Sequence, residues 1–440
     1  MSSDTAASTL DRLYDFISGD EDARVCKEIP ESACRHQPRN FFAYLTANLL
    51  NKIADELTSA KLVLPWLLGA LGAPVFLTAF LVPIRESGVL LPQLAVAALV
   101  RHLPKRKGVW LVGALLSALS LAGMAGVAVS LSGAAAGWGI VALLVCFSLA
   151  RGLCSVSAKD VLGKTVSKSR RGNLMGWSAG VSGLAVVLIG LGMNLNALAS
   201  ADLALFGWLF LACAGLWIAA ALAFAAIHEE PGATEGGGNA LTVALECIGL
   251  LRSDARFRHF VTARLLLLAV ALASPFYVLL AQTHTGNGLD SLGWLIVATG
   301  IGASVSSPFW GRLGDRSSRT VMALAAAGHA LLGVLVALCL MLQLPLVEDR
   351  YFWAIVMVLL TVLHAGVRLG RKIYLVDMAS GDNRAAYVAL SNTVIGIAML
   401  GAGFIGLIGH WLGLAWLILL LALSSLVAAL YARQLPEVSG

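Results

Sequence analysis

Ionisable side chains recur at helical spacing inside apolar stretches of this chain, where a bare charge is costly. Within residues 41–66, Asn48, Lys52, Asp55 and Ser59 fall three or four residues apart and share one helix face. Glu56 stands four residues after Lys52, the spacing at which the two can pair. Arg85 and Glu86 are adjacent, so they point about 100° apart and cannot simply neutralise each other. Arg151, Ser155 and Lys159 form a further stripe with Asp160 beside it; His364, Arg368, Arg371 and Lys372 form another, with Asp377 beyond. Guanidinium forks grip carboxylate or phosphate, so Arg85, Arg151, Arg264, Arg368 and Arg371, with Asn48 and His364, are candidate anion-binding groups around a shared crevice. Asp55, Glu56 and Glu86 are candidate proton carriers, because burial favours the neutral carboxyl and moves its titration toward neutral pH. The competing reading is structural. Lys52 would bridge Glu56 or Asp55, while Lys159, Arg371 and Lys372 would reach out to headgroups.

An apolar helical frame must position these groups. Of 440 residues, 58% are hydrophobic and only 13% charged, and the mean hydropathy is +0.83. Soluble domains carry roughly 25% charged residues, so an ordinary soluble globular protein is excluded. Apolar runs of about 20 residues have the length of bilayer-spanning helices, and the alternation of an outer-membrane barrel is absent. The runs predict spans at 41–66, 75–100, 108–130, 138–163, 172–194, 204–227, 259–282, 291–311, 319–342, 351–377, 385–408 and 411–432. An ionised group at mid-depth costs roughly 2.5–3.5 kcal/mol on insertion scales, so each of those above needs a partner or a task.

The net charge of +6 is distributed as a membrane protein requires, and nucleic acid is not an expected partner. Alternate loops hold Arg101, Lys105, Arg106 and Lys107, then Lys164, Lys168, Arg170 and Arg171, then Arg252, Arg256 and Arg258, then Arg312, Arg316 and Arg319, and finally Arg384; the other loops hold essentially Arg350. The positive-inside rule then places both termini in the cytoplasm of a bacterial-type inner membrane. Residues 1–40 form a polar, initially acidic tail without a signal-peptide core, so no cleavage is expected. The seven cysteines are scattered, Cys26 and Cys34 with His36 match no zinc spacing, and reduced thiols without metal or cofactor are expected. Trp66, Trp110, Trp138, Trp208 and Tyr351 near span ends suit interfacial belts. Isolated His329 and His410 read as packing or interfacial residues.

Organisation follows from the spans: a tail at 1–40, a six-helix bundle at 41–227, a linker at 228–258, a second bundle at 259–433 and a tail at 434–440. The linker carries Gly236, Gly237 and Gly238, with a candidate amphipathic helix at 240–251. The halves match weakly at an offset of roughly 213–216 residues. Residues 45–50 face 261–266, Lys159 and Arg171 face Lys372 and Arg384, and Arg106 faces Arg319.

Between two spans, Gly311 to Arg319 reads G-R-L-G-D-R-S-S-R. Gly311 and Gly314 allow close backbone approach, Asp315 can cap or pair at a helix end, and Arg312, Arg316 and Arg319 can reach headgroups or helix carboxylates. This loop resembles the G-x-L-x-D-R-x-x-R signature of the major facilitator superfamily, and the resemblance covers the chain from about Arg39 onward. In the first half the corresponding loop keeps Arg101, Lys105 and Arg106, lacks the glycine, and has His102 at the aspartate position. Arg151 sits where the family's drug–proton exchangers place a fourth-helix arginine, but Cys154 and Ser155 replace the residues expected after it. Gly172, Gly176, Gly180 and Gly183 lack the exchanger proline and read as close helix packing. The resemblance implies an all-α membrane protein of two pseudo-symmetric six-helix bundles working by alternating access. Gly311, Gly314, Asp315, Arg316, Arg319 and Arg106 would gate it.

These readings converge on a monomeric secondary transporter, symporter or antiporter, moving a small organic or inorganic anion with protons. Alternatives are export of drugs or lipids, and a receptor or assembly factor using the N-terminal tail. A membrane enzyme finds no nucleophile–base pair, and no Walker loop supports ATP hydrolysis.

Overall fold

Two prolines decide how the first two spans are built. Proline removes a helix N–H and its ring clashes with the carbonyl four residues back, which for Pro65 is that of Lys61 and for Pro83 that of Ala79. In the computed structural model the first span accordingly divides into α1 (Gln37–Leu57) and α2 (Val63–Ala70), and the second into α3 (Val75–Thr78) and α4 (Leu81–Leu90). The structure describes residues 34–93, 96, 100, 102–195, 203–232, 249, 251–314, 316–379 and 384–438.

The first lobe continues through α5 (Lys107–Ser130), α6 (Gly133–Thr165), α7 (Lys168–Leu195) and α8 (Leu203–Ala225). The second lobe opens on a span divided in the same way, as α9 (Ala255–Leu266), α10 (Leu268–Leu272) and α11 (Ser274–Thr285), where Pro275 stands just past the break. It continues with α12 (Leu289–Gly314), α13 (Ser318–Met341), α14 (Arg350–Met378), α15 (Arg384–Ala402), α16 (Gly406–Leu412) and α17 (Leu414–Arg433). Ten segments among the described residues are long and apolar enough to cross a membrane, and the broken first and second spans are not among them. Their outer faces are apolar, with Leu119 67% exposed, as lipid contact requires.

The internal repeat is visible in the packing. In the first lobe α5 packs on α8 and α6; in the second, α13 packs on α17 and α14 in the same arrangement. The lobes meet where α7 lies on α12, α4 on α15, α3 on α16 and α2 on α11.

Several sequence expectations change in three dimensions. Trp66 and Trp110 are core residues, 0% and 2% exposed, and Trp110 stacks on Phe224 at 4.0 Å. Trp138, Trp208 and Tyr351 are exposed as an interfacial belt requires. Gly172, Gly176, Gly180 and Gly183 face open space, and the close approach on α7 is made by Gly190 instead. Cys34 is disulfide-bonded, whereas reduced thiols were expected. His329 is a packing residue, with its Nδ1 2.9 Å from the Ser425 hydroxyl. The amphipathic helix expected at 240–251 lies almost wholly outside the described residues.

Candidate functional site

The mid-depth charges gather between the lobes but choose partners across helices rather than along them. Asp55 on α1 accepts from Arg151 Nη2 of α6 at 2.6 Å, and Arg85 of α4 stands 3.5 Å from the same carboxylate oxygen. All three side chains are about one-fifth exposed. Below them lies an aromatic floor, with Arg85 5.3 Å from the Phe147 ring centroid and Arg151 4.8 Å from that of Trp217. Two guanidinium groups on one carboxylate leave the triad a formal +1. The other Asp55 oxygen and Arg151 Nε are buried without a hydrogen-bond partner among the described residues.

Glu86 turns away from Arg85 and pairs with Lys61 Nζ at 3.4 Å. Lys61 also reaches across to the second lobe, where its Nζ is 3.1 Å from His364 Nε2 on α14. Glu56 is exposed, and Lys52 makes no ion pair with it or with Asp55 among the described residues. The structural bridge within α1 is therefore not formed.

On α14 the exposed face changes side along the helix. Its first half exposes Tyr351, Ile355 and Leu359, an apolar lipid-facing stripe. Arg368 is also exposed, but nine residues after Leu359 it points about 180° from that residue, on a different face of the helix. Arg368 therefore faces the space between the lobes, and Lys372 follows it one turn on. Arg371 is half-buried and interacts electrostatically with Glu86 and with Arg264.

Two other candidate residues turn into their own lobes. Arg264 is buried, donating to Ser391 Oγ at 2.7 Å and Asn392 Oδ1 at 3.3 Å. Asn48 donates to Ser178 Oγ of α7 at 2.9 Å.

The lobes touch in the half of the molecule farther from the termini, here called the distal half. There Gln282 Nε2 donates to Trp66 O at 2.9 Å and Asn194 Nδ2 to Asp290 O at 3.3 Å. Gly190 and Gly293 bring α7 and α12 together, and the Phe80 ring meets Phe404 edge-on at 5.3 Å. Toward mid-depth Ser87 Oγ donates to Gly396 O at 2.8 Å. The hydrogen bonds that join described residues of the two lobes lie in the distal half and at mid-depth. The mid-depth charges thus lie behind a closed distal seal.

This architecture has solved counterparts. The crystal structure of a D-xylose-proton symporter is similar with a TM-score of 0.67 at 14% identity, covering 91% of this chain and 98% of that one. The nucleoside transporter NupG (D323A mutant) gives 0.66 at 13%, covering 89% and 99%. A POT family transporter in complex with a thioalcohol-conjugated peptide gives 0.68 at 12%, covering 92% and 97%. At these identities the likeness is one of fold alone. No curated protein matches the chain. Residues 260–439, almost the whole second lobe, match the family model described as Major Facilitator Superfamily. That match spans less than half of the chain, and what it shows is the likeness of the second lobe to this superfamily. The ten described segments long and apolar enough to cross a membrane agree with that likeness.

The superfamily loop is built into its own lobe. Arg319 Nε pairs with Glu437 at 2.9 Å and its Nη1 donates to Leu435 O at 2.8 Å. Ser317 caps α13 by accepting from Thr320 N, and its hydroxyl donates to Glu437 at 2.7 Å. Gly314 lies against Ile373, Gly311 has open space, and Arg316 is exposed. Asp315 lies outside the described residues.

In the first lobe Arg106 pairs with Asp160 at the terminal end of α6, and Lys164 joins both Asp160 (2.8 Å) and Glu229 (3.4 Å). The Glu229 carboxylate accepts from Arg106 N at 2.8 Å and Lys107 N at 2.7 Å, supplying the anion that an α5 N-terminus favours. Asp254 performs the same task for α9, accepting from Phe257 N at 3.0 Å and from the Tyr387 hydroxyl. Burial opposes ionisation of Asp254, but the Tyr387 hydroxyl and the Phe257 and Arg256 N–H groups outweigh it, so the carboxyl lies below the usual range. Its contribution to stability is present above the unfolded-state pKa and is lost as pH falls through the lowered value.

Sequence reading missed Lys61, Glu229 and Glu437. The two glutamates had a signal: each stands four residues beyond the last helix of its lobe, and each holds the basic loop before α5 or α13. Glu229 has a fully buried side chain. Glu229→Ala is expected to lower stability by about 2–4 kcal/mol, since it strands two N–H groups and Lys164. Thermal unfolding in detergent checks this, and an unchanged melting temperature would refute the assignment.

Proposed function

We propose that the chain is a secondary active transporter of a small organic or inorganic anion, coupled to protons. The observation that carries this is the charge balance at mid-depth between the lobes. Arg85, Arg151, Lys61, Arg368 and Arg371 face Asp55, Glu56 and Glu86, an excess of two positive charges in a site that lipid would otherwise exclude. An anion entering from the terminal face would pass Lys372 and Arg368 before reaching the Asp55 triad. Asp55, Glu56 and Glu86 supply carboxylates able to carry the counter-moving or co-moving proton. The basic loops near Lys105, Arg170, Arg256 and Arg316 support a cytoplasmic terminal face, so the distal seal describes an inward-facing state. In the outward-facing state the Gly311–Arg319 loop and Arg106 would clasp the cytoplasmic ends of the helices.

A thermal-shift screen of the purified protein against carboxylates, inorganic phosphate and cationic drugs, at pH 6 and pH 8, tests the reading. Anions are expected to stabilise the protein, and Arg368→Gln to weaken their binding by about 10–100-fold, the loss of one charge-assisted contact. Stabilisation by cations alone would end the anion proposal.

A second reading has one observation in its favour. An apolar groove of about 530 Å³ lies between α4, α5 and α6, lined by Val96, Leu119, Ser120, Leu143, Cys146 and Leu153. Its exposed leucines open toward lipid rather than toward the charged residues, which suits a bulky amphiphile entering sideways. Under that reading drugs or lipids would be exported, and Arg368→Gln would leave ligand binding unchanged.

A further inference from the structure

We propose that His364, held by Lys61 and Glu86, is the site where the coupled proton binds, and that its protonation releases the lobes from each other in the distal half. This rests on the proton-coupled reading above, taking from it only that a proton moves with the substrate, and assigns that proton to the imidazole in place of the carboxylates. Among the described residues, the Lys61–His364 contact is the side-chain-to-side-chain hydrogen bond that joins the lobes; the bonds from Ser87, Gln282 and Asn194 all end on backbone carbonyls.

The chemistry of the pair is directional. An ammonium group only donates, so His364 Nε2 at 3.1 Å must accept, and the imidazole proton sits on Nδ1. His364 is therefore neutral while the seal is closed. A proton arriving at Nε2 converts the acceptor into a donor. The hydrogen bond to Lys61 is lost, and two like charges stand where it was. Lys61 can retreat to Glu86, already 3.4 Å away. It is mounted for that movement, because it lies in the non-helical break between α1 and α2 that Pro65 enforces.

The two events are exclusive. On α14 Arg368 and Arg371 face His364, on α13 His329, and from the first lobe Lys61. Around Glu86 stand Lys61, Arg85 and Arg371, with Asp55 and Glu56 on the neighbouring α1. With Lys61 in contact the Nε2 lone pair is occupied, so a proton can bind there only once Lys61 has left. By linkage, a proton that binds the separated state better must favour separation. The buried His364 Nδ1, without a partner among the described residues, marks the ring as unsatisfied in the sealed state.

The test uses the full chain in nanodiscs with spin-labelled unnatural amino acids at Leu131 and Leu342, exposed positions at the distal ends of α5 and α13. The distance distribution is followed from pH 8 to pH 5.5. The parent protein is expected to gain a longer-distance population by about tenfold as the pH falls across this range. His364→Gln, which still accepts from Lys61 but cannot be charged, is expected to stay closed at every pH. Lys61→Met is expected to populate the open form at both extremes. A His364→Gln titration like the parent's would overturn the proposal. So would a titration abolished by Glu86→Gln but kept by His364→Gln, which assigns the proton to Glu86. An intact titration in a protein that no anion stabilises would sink the anion reading and leave this assignment standing.

Discussion

Asp55→Asn is expected to cost about 3–5 kcal/mol, the loss incurred when one partner of a largely buried ion pair is removed. Arg151 and Arg85 both converge on one Asp55 oxygen, and both side chains are less than one-quarter exposed. Without the carboxylate two guanidinium groups face each other over Phe147 and Trp217. The melting temperature should fall by something on the order of 5–10 °C. Adding Arg85→Gln to Asp55→Asn should recover part of the loss, because it removes the repulsion that the first change creates. Acetate or phosphate should stabilise Asp55→Asn more than the parent, by replacing the missing charge. An Asp55→Asn protein that melts like the parent would show that the triad carries no energetic weight.

The second large effect concerns the distal seal. A Cβ at Gly293 would lie 2.6 Å from Gly190 O and 3.2 Å from Asn194 N, both backbone atoms of α7 that no rotamer change can remove. Gly293→Val is therefore expected to strain the closed state by about 2–3 kcal/mol, at the upper end of overpacking costs, and to shift the protein toward opening at the distal face. Hydrogen exchange in the distal parts of α7 and α12 should rise at least about tenfold, the population change equivalent to 1.4 kcal/mol. Gly180→Val is the control: nothing lies within 4 Å of its Cβ, and exchange should match the parent. Equal behaviour of the two variants would remove the Gly190–Gly293 contact from the gating account.

How much of this was legible in the sequence depends on the range of the interaction. Span positions and the mid-depth placement of Asp55, Arg85, Arg151 and His364 followed from apolar run length and rise per residue, which are local quantities. The partners of Asp55 did not. Lys52 was the natural choice along the helix, but the guanidinium groups of α4 and α6 reach the carboxylate across helix–helix contacts that no periodicity encodes. Lys61 escaped notice because it falls off the 48–52–55–59 stripe, and only the break before Pro65 re-aims it toward the second lobe. The break itself was readable from proline chemistry. Trp66 and Trp110 looked interfacial by position, yet burial depends on what the opposite helix presents, and here that is core. The glycines of α7 illustrate the same limit: four at regular spacing face open space, while Gly190, outside that series, makes the contact.

The central claim is that the mid-depth charges face one water-filled crevice, open to the terminal face while the distal half is closed. Arg368→Cys, treated with a membrane-impermeant thiol reagent in sealed vesicles of both orientations and read site by site by mass spectrometry, tests it most directly. Modification is expected only when the reagent has access to the terminal face, and at a reduced rate when a stabilising anion is present. Equal modification from both faces, or none except with a lipid-soluble reagent, would contradict it.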